Sequence, residues 1–309
     1  MKKRHAQPLE VPLRREMSFE YGVASGVVPG VVRLVAENPG PFTFKGTNTY
    51  LVGSKSLAVV DPGPADESHC RAILDAAQGR PITHILITHA HRDHVDGLAA
   101  LQAETGAQSV GFGRSQLVAP EALNSPSGKD FVALDFAPDL AVGDGDLIEG
   151  EDWMLEALHT PGHAPDHLCF ALTGRGVVFS GDHVMSWNTT VIAPPEGRMA
   201  HYLCSLSRLL DTDSDLYLPG HGGRLEEARR TVKAFLLHRQ WREQAVLGAI
   251  RKKGATVREM VAMIYRDLDE KLLAAAGLSI MAHVEHLREQ GAVNYADPLG
   301  FDTPLMVAG

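Results

Sequence analysis

The sequence predicts an α/β fold in which helices cover β-sheets, followed by a smaller helical module. In the first 225 residues, short apolar runs alternate with segments of helical periodicity. After residue 225 the pattern is almost wholly helical. Alternating strands and helices are typical of sheets whose faces are buried under helices. We therefore divide the chain into a first domain of residues 1–225 and a second domain of residues 226–309.

Two apolar runs set the pattern of the first domain. Leu57–Val60 ends at an Asp-Pro-Gly-Pro turn that begins at Asp61, and a helical pattern through residues 70–74 follows. Residues 82–88 form a second run, which leads through a histidine-rich segment into a helical pattern at residues 98–101. Because proline and glycine end a strand and turn the chain, each unit is predicted as a strand followed by a helix.

Four potential metal ligands lie within six residues, directly after the second run. They belong to the segment H-A-H-R-D-H at residues 89–94. Imidazole and carboxylate together suit zinc or a similar cation. In an extended segment His89, His91 and Asp93 share one side, and a turn after Asp93 would let His94 reach a second ion. One metal needs three or four ligands, so this segment begins a site but cannot complete it.

Three further apolar runs end in residues that can coordinate a metal. Glycine or proline ends each run and lets the next side chain project past the sheet edge. Neighbouring strands lie about 4.8 Å apart, so side chains at their ends can converge. Four strand ends could then supply seven ligands to a pair of metals. The runs are residues 153–158 before His159-Thr160-Pro161-Gly162-His163, residues 177–180 before Gly181-Asp182-His183, and residues 216–218 before Pro219-Gly220-His221.

The order H-x-H-x-D-H, TPGH, GD and PGH resembles the metallo-β-lactamase superfamily of metal hydrolases. The resemblance implies a four-layer αβ/βα sandwich with two metal ions in a cleft at one edge of the sheets. Every position that carries a metal ligand in the superfamily is occupied in this sequence by a histidine or an aspartate. By this resemblance His89, His91 and His163 would hold the first metal, Asp93, His94 and His221 would hold the second, and Asp182 would bridge the two.

The resemblance implies hydrolysis by a hydroxide that bridges two divalent ions, with Zn²⁺ expected and Mn²⁺ or Fe²⁺ as alternatives. Asp93 and Asp182 are predicted as ligands first, and either could also take up a proton during catalysis. A serine nucleophile is not required, and the sequence contains no G-x-S-x-G motif to supply one.

Several residues beside the ligands could support them. His159, His167 and His183 are candidates for orienting the ligating imidazoles. The resemblance implies that Asp61 supports the ligand loop by hydrogen bonds, although an ordinary Asp-Pro turn also explains this residue. Two stretches rich in Pro, Gly, Ser and Asn, residues 120–128 and 186–199, are predicted to line the cleft.

The second domain is predicted to contain three helices and a short strand. Residues 225–253 have a long helical pattern, and the segment T-V-R-E from Thr256 is a capping-box signature that opens a second helix. A third helix carries Met281, Val284 and Leu287 and ends near residue 291, before a strand at residues 292–295. These elements predict a winged helix; a plain helical cap is the alternative.

Two segments and this terminal module resemble the β-lactamase-like protein 2 group within the superfamily. The segments are G-T-N-T-Y at residues 46–50 and H-R-Q-W-R-E-Q at residues 238–244. That group includes metal-dependent endoribonucleases, and related members act as thioesterases. Superfamily members that hydrolyse antibiotics usually lack an aspartate in the bridging position, so Asp182 argues against that activity.

The charge distribution bears on the substrate. Residues 226–309 contain 12 Lys/Arg and 11 Asp/Glu, whereas the first 225 residues contain 17 and 27. A polyanion would be repelled by such an acidic lobe. We therefore predict hydrolysis of a small-molecule ester or thioester. A single-strand endoribonuclease is the alternative, because the stretch from Arg229 to Arg258 contains nine basic residues and only one acidic residue, Glu243. A nucleic-acid-binding regulator with a vestigial metal lobe is a third hypothesis, opposed by the complete ligand set.

Composition is that of a globular cytoplasmic protein. The 309 residues are 44% hydrophobic and 22% charged. No apolar run approaches the roughly 20 residues of a membrane span, and no apolar signal region follows the basic start, so no membrane partner is expected. The three widely spaced cysteines, Cys70, Cys169 and Cys204, are predicted as reduced thiols.

Overall fold

The structure, a computed structural model, describes residues 11–113, 131–253, 255–265 and 270–308. Its first β-sheet has seven strands that lie side by side in chain order. The first four are antiparallel, and the last three add in parallel. The strands are β1 (Ser25–Val28), β2 (Val31–Val35), β3 (Asn48–Val52), β4 (Leu57–Val60), β5 (Ile82–Leu86), β6 (Gln108–Gly111) and β7 (Leu140–Ala141).

The second sheet has six strands in the order β13-β12-β11-β10-β9-β8. Only β11 and β12 pair in parallel; the remaining neighbours are antiparallel. The strands β9, β11 and β12 therefore run in one direction and end at the same edge. The bounds are β8 (Leu147–Glu149), β9 (Met154–His159), β10 (Leu168–Leu172), β11 (Val177–Gly181), β12 (Leu216–Pro219) and β13 (Leu225–Glu226).

Helices cover the outer face of each sheet. The inner faces of the two sheets pack on each other through side chains such as Tyr50, Phe170 and Phe179. Strand residues such as Leu34 pack outward against α1 and α3, and Tyr217 packs outward against α4 and the start of α5. This is the predicted four-layer αβ/βα sandwich. The helices are α1 (Glu67–Ala77), α2 (Arg92–Val95), α3 (Leu98–Thr105), α4 (Met199–Leu209) and α5 (Ala228–Lys253).

The C-terminal elements form a separate small core. Helices α6 (Val257–Ile264) and α7 (Leu273–Glu289) follow α5, with a 3₁₀ turn at Glu270–Leu272 between them. Strands β14 (Val293–Asn294) and β15 (Met306–Val307) then form an antiparallel hairpin. The second half of α5 packs into this core, whereas its first half packs on the second sheet. The division after residue 225 stays a prediction.

One helix boundary differs from the sequence-based expectation. Leu225 was expected to begin a helix, but it lies in β13 and pairs with Tyr217, so the helix begins at Ala228. Gly254, which directly follows the predicted helix, and the predicted cleft loop at residues 120–128 lie outside the described residues. Among the described helices, none is long and apolar enough to cross a bilayer. All three cysteines are free, and Cys70 and Cys169 are buried.

The predicted capping box at the start of α6 is confirmed. The Thr256 hydroxyl accepts from the Glu259 backbone N–H at 3.3 Å, and the Glu259 carboxylate accepts from the Thr256 N–H at 2.9 Å. We expect Thr256→Ala to lower the free energy of unfolding by about 1 kcal/mol, because the Glu259 N–H loses its acceptor and the reciprocal capping box is broken. Urea unfolding measures this, with the exposed Thr173→Ala as a control; equal midpoints for both variants would contradict the role of the cap.

Candidate metal centre

All seven side chains predicted as ligands lie together where the two sheets meet. They follow the ends of four strands, β5, β9, β11 and β12. Parallel pairing places these ends level, since Val60 pairs with Leu86 and Gly181 pairs with Pro219. The coordinating atoms within each of three groups lie within 4.8 Å of one another. The groups are His89, His91 and His163; His89, His94 and Asp182; and Asp93, His94 and His221.

The first group consists of three imidazoles whose nitrogens converge. His89 Nε2 lies 2.9 Å from His91 Nδ1, and His163 Nε2 lies 3.1 Å from the same atom. Two nitrogen ligands of one tetrahedral zinc ion lie about 3.3 Å apart, given Zn–N bonds of about 2.0–2.1 Å. The spacing is therefore close to that of ligands of a single ion.

The group of Asp93, His94 and His221 contains one carboxylate and two imidazoles. Asp93 Oδ2 lies 3.2 Å from His221 Nε2 and 3.4 Å from His94 Nε2. Asp182 lies between the two groups: its Oδ2 is 3.8 Å from His163 Nε2 and 3.4 Å from His221 Nε2, and its Oδ1 is 3.6 Å from His94 Nε2. One carboxylate therefore faces ligands of both groups.

The turn that separates the two groups begins earlier than expected. The sequence placed His89, His91 and Asp93 in one extended segment, with the turn after Asp93. In the structure His91 is the last extended residue, with φ −71° and ψ 139°, and α2 begins at Arg92. The helical turn is closed by bonds from the His94 and Val95 N–H groups to the His91 carbonyl. Asp93 and His94 therefore both lie in this helical turn, after His89 and His91 in the chain.

The outer ring nitrogen of each of the five histidines faces an oxygen acceptor. A ring nitrogen that donates outward leaves the inner nitrogen with a lone pair for a metal, which fixes the required tautomer. The contacts are His89 Nδ1 to Thr88 Oγ1 at 3.0 Å, His91 Nε2 to Glu196 Oε2 at 3.5 Å, His94 Nδ1 to Asp61 Oδ2 at 2.9 Å, His163 Nδ1 to the Val191 carbonyl at 2.7 Å and His221 Nδ1 to the Gly46 carbonyl at 3.2 Å.

Two atoms that face the interior of the cluster indicate that its side chains suit a bound cation. Within the described part of the chain, His94 Nε2 and Asp182 Oδ1 are buried and have no hydrogen-bond partner. Leaving such groups unpaired in the interior is costly. Divalent cations would satisfy both atoms, and a set of imidazoles and carboxylates suits zinc, manganese or iron. The residues present therefore fit a pair of metal ions.

The electrostatics of the cluster also favour cations. Burial raises the pKa of Asp182, but the adjacent His221 and His94 lower it well below its usual value. Burial likewise opposes ionisation of Asp93, and His94 and His221 hold its pKa low. Burial lowers the pKa of His163 to about 4, so this imidazole is neutral near pH 7. Burial lowers the pKa of His221, but Asp182 and Asp93 raise it to about 9. Burial likewise opposes protonation of His94, but Asp93, Asp182 and Asp61 raise its pKa well above the usual value. Because metals bind ionised carboxylates and neutral imidazoles, cations would take the place of protons on these two rings.

The G-T-N-T-Y segment, which leads into β3, holds the ligand loops in place. Thr47 Oγ1 donates to Asp93 Oδ2 at 3.2 Å. Asn48 Nδ2 donates to the carbonyls of Pro219 and Gly222, both at 2.8 Å, which brackets the loop that carries His221. This segment therefore positions ligands from both sheets, a role that the sequence alone did not assign to it.

Residues of the stretch 186–199 contact three of the predicted ligands. Val191 and Glu196 face two of the imidazoles predicted as ligands, and Thr190 Oγ1 donates to the Asp182 carbonyl at 2.8 Å. The sequence indicated a cleft loop here without naming these residues. Only polarity could have drawn attention to Thr190 and Glu196 in the sequence, and nothing in the sequence indicates Val191, which acts through its backbone carbonyl.

The three histidines considered as supports have other contacts. His167 Nε2 accepts from the Asp182 N–H at 3.2 Å, so it holds the backbone of a ligand rather than an imidazole. His159 faces the Pro165 carbonyl and stacks on Phe112 at 4.0 Å. Neither ring nitrogen of His183 has a hydrogen-bond partner among the described residues. Asp61, by contrast, bonds His94 and Thr88 directly.

Gly220 leaves no room for a side chain beside the ligands. A Cβ atom at this position would lie 2.6 Å from His94 Cε1 and 2.7 Å from Asp182 Oδ1. We expect Gly220→Ala to displace both ligands, with a destabilisation of about 1–3 kcal/mol and a loss of bound metal. Metal analysis and thermal unfolding measure the two effects.

Gly248→Ala is the matched control for this substitution. Gly248 lies within α5, and a Cβ there would meet no atom within 4 Å. This variant should be more stable by about 0.5–1 kcal/mol, because alanine has the higher helix propensity. If Gly220→Ala retained full metal content, the tight contact beside the ligands would not govern metal binding.

Comparison with known proteins agrees with this architecture. The family model of the metallo-β-lactamase superfamily matches residues 42–221. A second model, the β-lactamase-associated winged helix domain, matches residues 256–298 and confirms the winged helix predicted for the C-terminal module.

Curated relatives cover most of the chain. The β-lactamase-like protein 2 homologue of Drosophila melanogaster is 30% identical over 84% of this chain and 88% of its own length. Lactamase-like protein adaB of Aspergillus niger is 33% identical, and the match covers 74% of this chain and 66% of the fungal protein. An atrochrysone carboxyl ACP thioesterase of Claviceps purpurea is 27% identical over 79% of this chain and 75% of its own length.

Among solved structures, a metallo-β-lactamase family protein from Thermus thermophilus superposes with a TM-score of 0.73. It is 26% identical, and the match covers 91% of this chain and 99% of that chain. The chain therefore belongs to the metallo-β-lactamase superfamily of metal-dependent hydrolases.

Proposed function

We propose that this protein is a binuclear metallohydrolase that cleaves a thioester or a related ester. The observation that carries the proposal is the position of Asp182, which faces His163 of one ligand group and both His94 and His221 of the other. A carboxylate shared in this way suits a pair of ions rather than one.

The proposed ligands are those predicted from the sequence. His89, His91 and His163 would hold one ion; Asp93, His94 and His221 would hold the other; Asp182 would contact both. We propose Zn²⁺ as the resident ion, with Mn²⁺ or Fe²⁺ able to occupy the same donors. When bound, such a pair lowers the pKa of water and polarises the electrophilic oxygen.

Asp93 is the better placed of the two carboxylates to take up a proton. Its side chain is 28% exposed, whereas that of Asp182 is 10% exposed. Asp93 Oδ2 also accepts a hydrogen bond from Thr47 Oγ1, so this carboxylate is held in one orientation facing the cleft. We propose that Asp93 binds metal and also accepts the proton that hydrolysis releases, while Asp182 acts mainly as a ligand.

The substrate class is supported by the relatives and by charge. Thioesterases occur among the curated relatives, including the Claviceps enzyme described above. The basic stretch that favoured RNA is partly neutralised: Arg230 pairs with Glu227, and Arg258 pairs with Asp302 at 2.7 Å. Fewer free cations remain on the surface for a nucleic-acid backbone than the sequence indicated. We propose a cytoplasmic location, which the three free cysteines support.

A substrate panel tests the proposal. Protein loaded with Zn²⁺ or Mn²⁺ would be offered an acyl-CoA thioester, a lactone, a β-lactam and single-stranded RNA. We expect thioester turnover that His91→Ala abolishes and that Lys252→Glu, an exposed position on α5, leaves unchanged. RNA cleavage lost in both variants would instead establish the endoribonuclease, and the absence of any metal-dependent hydrolysis would overturn the proposal.

A further inference from the structure

A large cavity with a cationic lining lies next to the metal centre. Its volume is about 1210 Å³, and it is open to solvent and lined by the N-terminal segment, β1, the loop at residues 188–191 and helices α5 and α7. Although the whole chain has a net charge of −9, the lining contains six arginines against two glutamates. The arginines are Arg14, Arg15, Arg33, Arg224, Arg239 and Arg242, and the glutamates are Glu16 and Glu226.

The two arginines of α5 are not neutralised as Arg14 and Arg224 are. Glu226 pairs with Arg224 at 2.6 Å and with Arg14 at 3.7 Å. Within the described residues, no carboxylate pairs with Arg239 or Arg242. Arg239 is only 3% exposed. Arg242 packs over the ring of Tyr265 at 4.3 Å and over that of Trp241 at 5.0 Å.

Buried donors in the lining also lack partners. Within the described part of the chain, the Nε atoms of Arg33, Arg239 and Arg242 and the Nδ1 atom of His238 are buried without a hydrogen bond. Residues 239 and 242 are three apart on one helix, so their like charges repel each other. Buried cations that are neither paired nor fully hydrogen-bonded are costly, and an anion in the cavity would remove that cost.

The cavity and the metal centre share a wall. The Arg239 guanidinium donates to the Thr190 carbonyl, while the Thr190 hydroxyl donates to the carbonyl of Asp182. The next residue, Val191, accepts from His163 through its carbonyl. A substrate could thus be recognised at two places: at the ligands by its reacting bond and in the cavity by a remote anionic group.

We propose that this cavity binds the phosphate of a phosphopantetheine-type arm, the carrier of acyl thioesters, through Arg242 and Arg239. The inference rests on the thioesterase function proposed above. Thioester carriers of this type hold their phosphate many bonds away from the sulfur, which suits a subsite separated from the metal ligands by one loop. The arm could belong to coenzyme A or to an acyl carrier protein, since both present the same phosphate ester.

Paired substrates test the subsite. The ratio of kcat/KM for an acyl-4′-phosphopantetheine to that for the same acyl group on pantetheine, which differs only in lacking the phosphate, isolates recognition of the phosphate. We expect Arg242→Gln to lower this ratio about ten- to hundredfold, the effect of losing a charge-assisted hydrogen bond. Arg251→Gln, an exposed position on the same helix outside the cavity, should leave the ratio unchanged. Arg242→Lys, which keeps the charge, should retain most of it.

Calorimetric titration with free coenzyme A gives a readout that needs no turnover. Its Kd should rise about ten- to hundredfold in Arg242→Gln, and in the intact protein it should rise with added salt. The salt series keeps the test valid if Arg242→Gln does not fold. Arg242-dependent binding of coenzyme A without thioester hydrolysis would overturn the proposed function and support the subsite. Thioester hydrolysis with equal coenzyme A affinity in both proteins would overturn the subsite.

A second pair of substrates distinguishes coenzyme A from an acyl carrier protein as the source of the arm. If acyl-CoA shows the Arg242 dependence, free coenzyme A thioesters are the substrates of the subsite. If only an acyl-carrier-protein thioester shows it, the arm arrives on a protein. Competition by single-stranded RNA that is itself cleaved would overturn the thioester carrier and assign the cationic cavity to RNA.

Discussion

Replacing Asp182 with alanine should remove metal and hydrolysis together. Asp182 faces His163 at 3.8 Å and His221 at 3.4 Å through one oxygen, and His94 at 3.6 Å through the other. The substitution would therefore take one ligand from each proposed ion at once. Loss of a residue that only supports a ligand costs about 10–100-fold in metal affinity or activity, so we expect kcat/KM to fall by more than about hundredfold.

Metal analysis of the purified variant, together with kcat/KM for a thioester, measures both effects. Asp213→Ala is the matched control, because Asp213 is exposed and lies outside the cluster. The control should keep the metal content and activity of the unmodified protein. Full activity with two ions bound in Asp182→Ala would remove the bridging role and, with it, the main support for a binuclear centre.

The ligand cluster could be predicted from the sequence because it depends on strand ends. Each ligand segment follows an apolar run, and in three of the four a glycine or proline ends the run, so local residues fix the strand and its end. The structure brings together all seven residues expected from this pattern. The exact turn was missed: helix α2 begins at Arg92, and its first turn depends on bonds to the His91 carbonyl that the histidine-rich sequence does not reveal.

The supports of the ligands could not be predicted in the same way. Glu196 and Val191 reach the imidazoles from a loop without periodicity, and Asn48 reaches the His221 loop from the other sheet. Such contacts follow from how the sheets pack, not from local propensity. In the same way Arg33 and Arg242 lie 209 positions apart and meet only around the folded cavity. The sequence indicated a basic surface where the structure has a partly buried cationic lining.

Replacing Asp61 should weaken both the fold and the metal centre. Its buried carboxylate accepts from the Thr88 N–H at 2.8 Å, from the Thr88 hydroxyl at 2.8 Å and from His94 Nδ1 at 2.9 Å. Asp61→Ala would leave three buried donors without an acceptor, each costing about 1–3 kcal/mol. Because relaxation of the site recovers part of that cost, we expect a total destabilisation of about 3–5 kcal/mol.

The variant Asp61→Asn removes the charge and part of the hydrogen bonding of Asp61 without the backbone strain that alanine adds at this position. Asp61 has a positive φ of 53°, a conformation that asparagine tolerates and alanine does not. The single amide oxygen of asparagine can accept from only some of the three donors. Asp61→Asn should therefore be destabilised less than Asp61→Ala, but it should still bind metal about 10–100-fold more weakly than the unmodified protein. Urea unfolding and metal titration distinguish the variants, with the exposed Asp135→Asn as control. Unchanged metal affinity in Asp61→Asn would show that His94 needs no acceptor behind it, and Asp61 would then be only a turn residue.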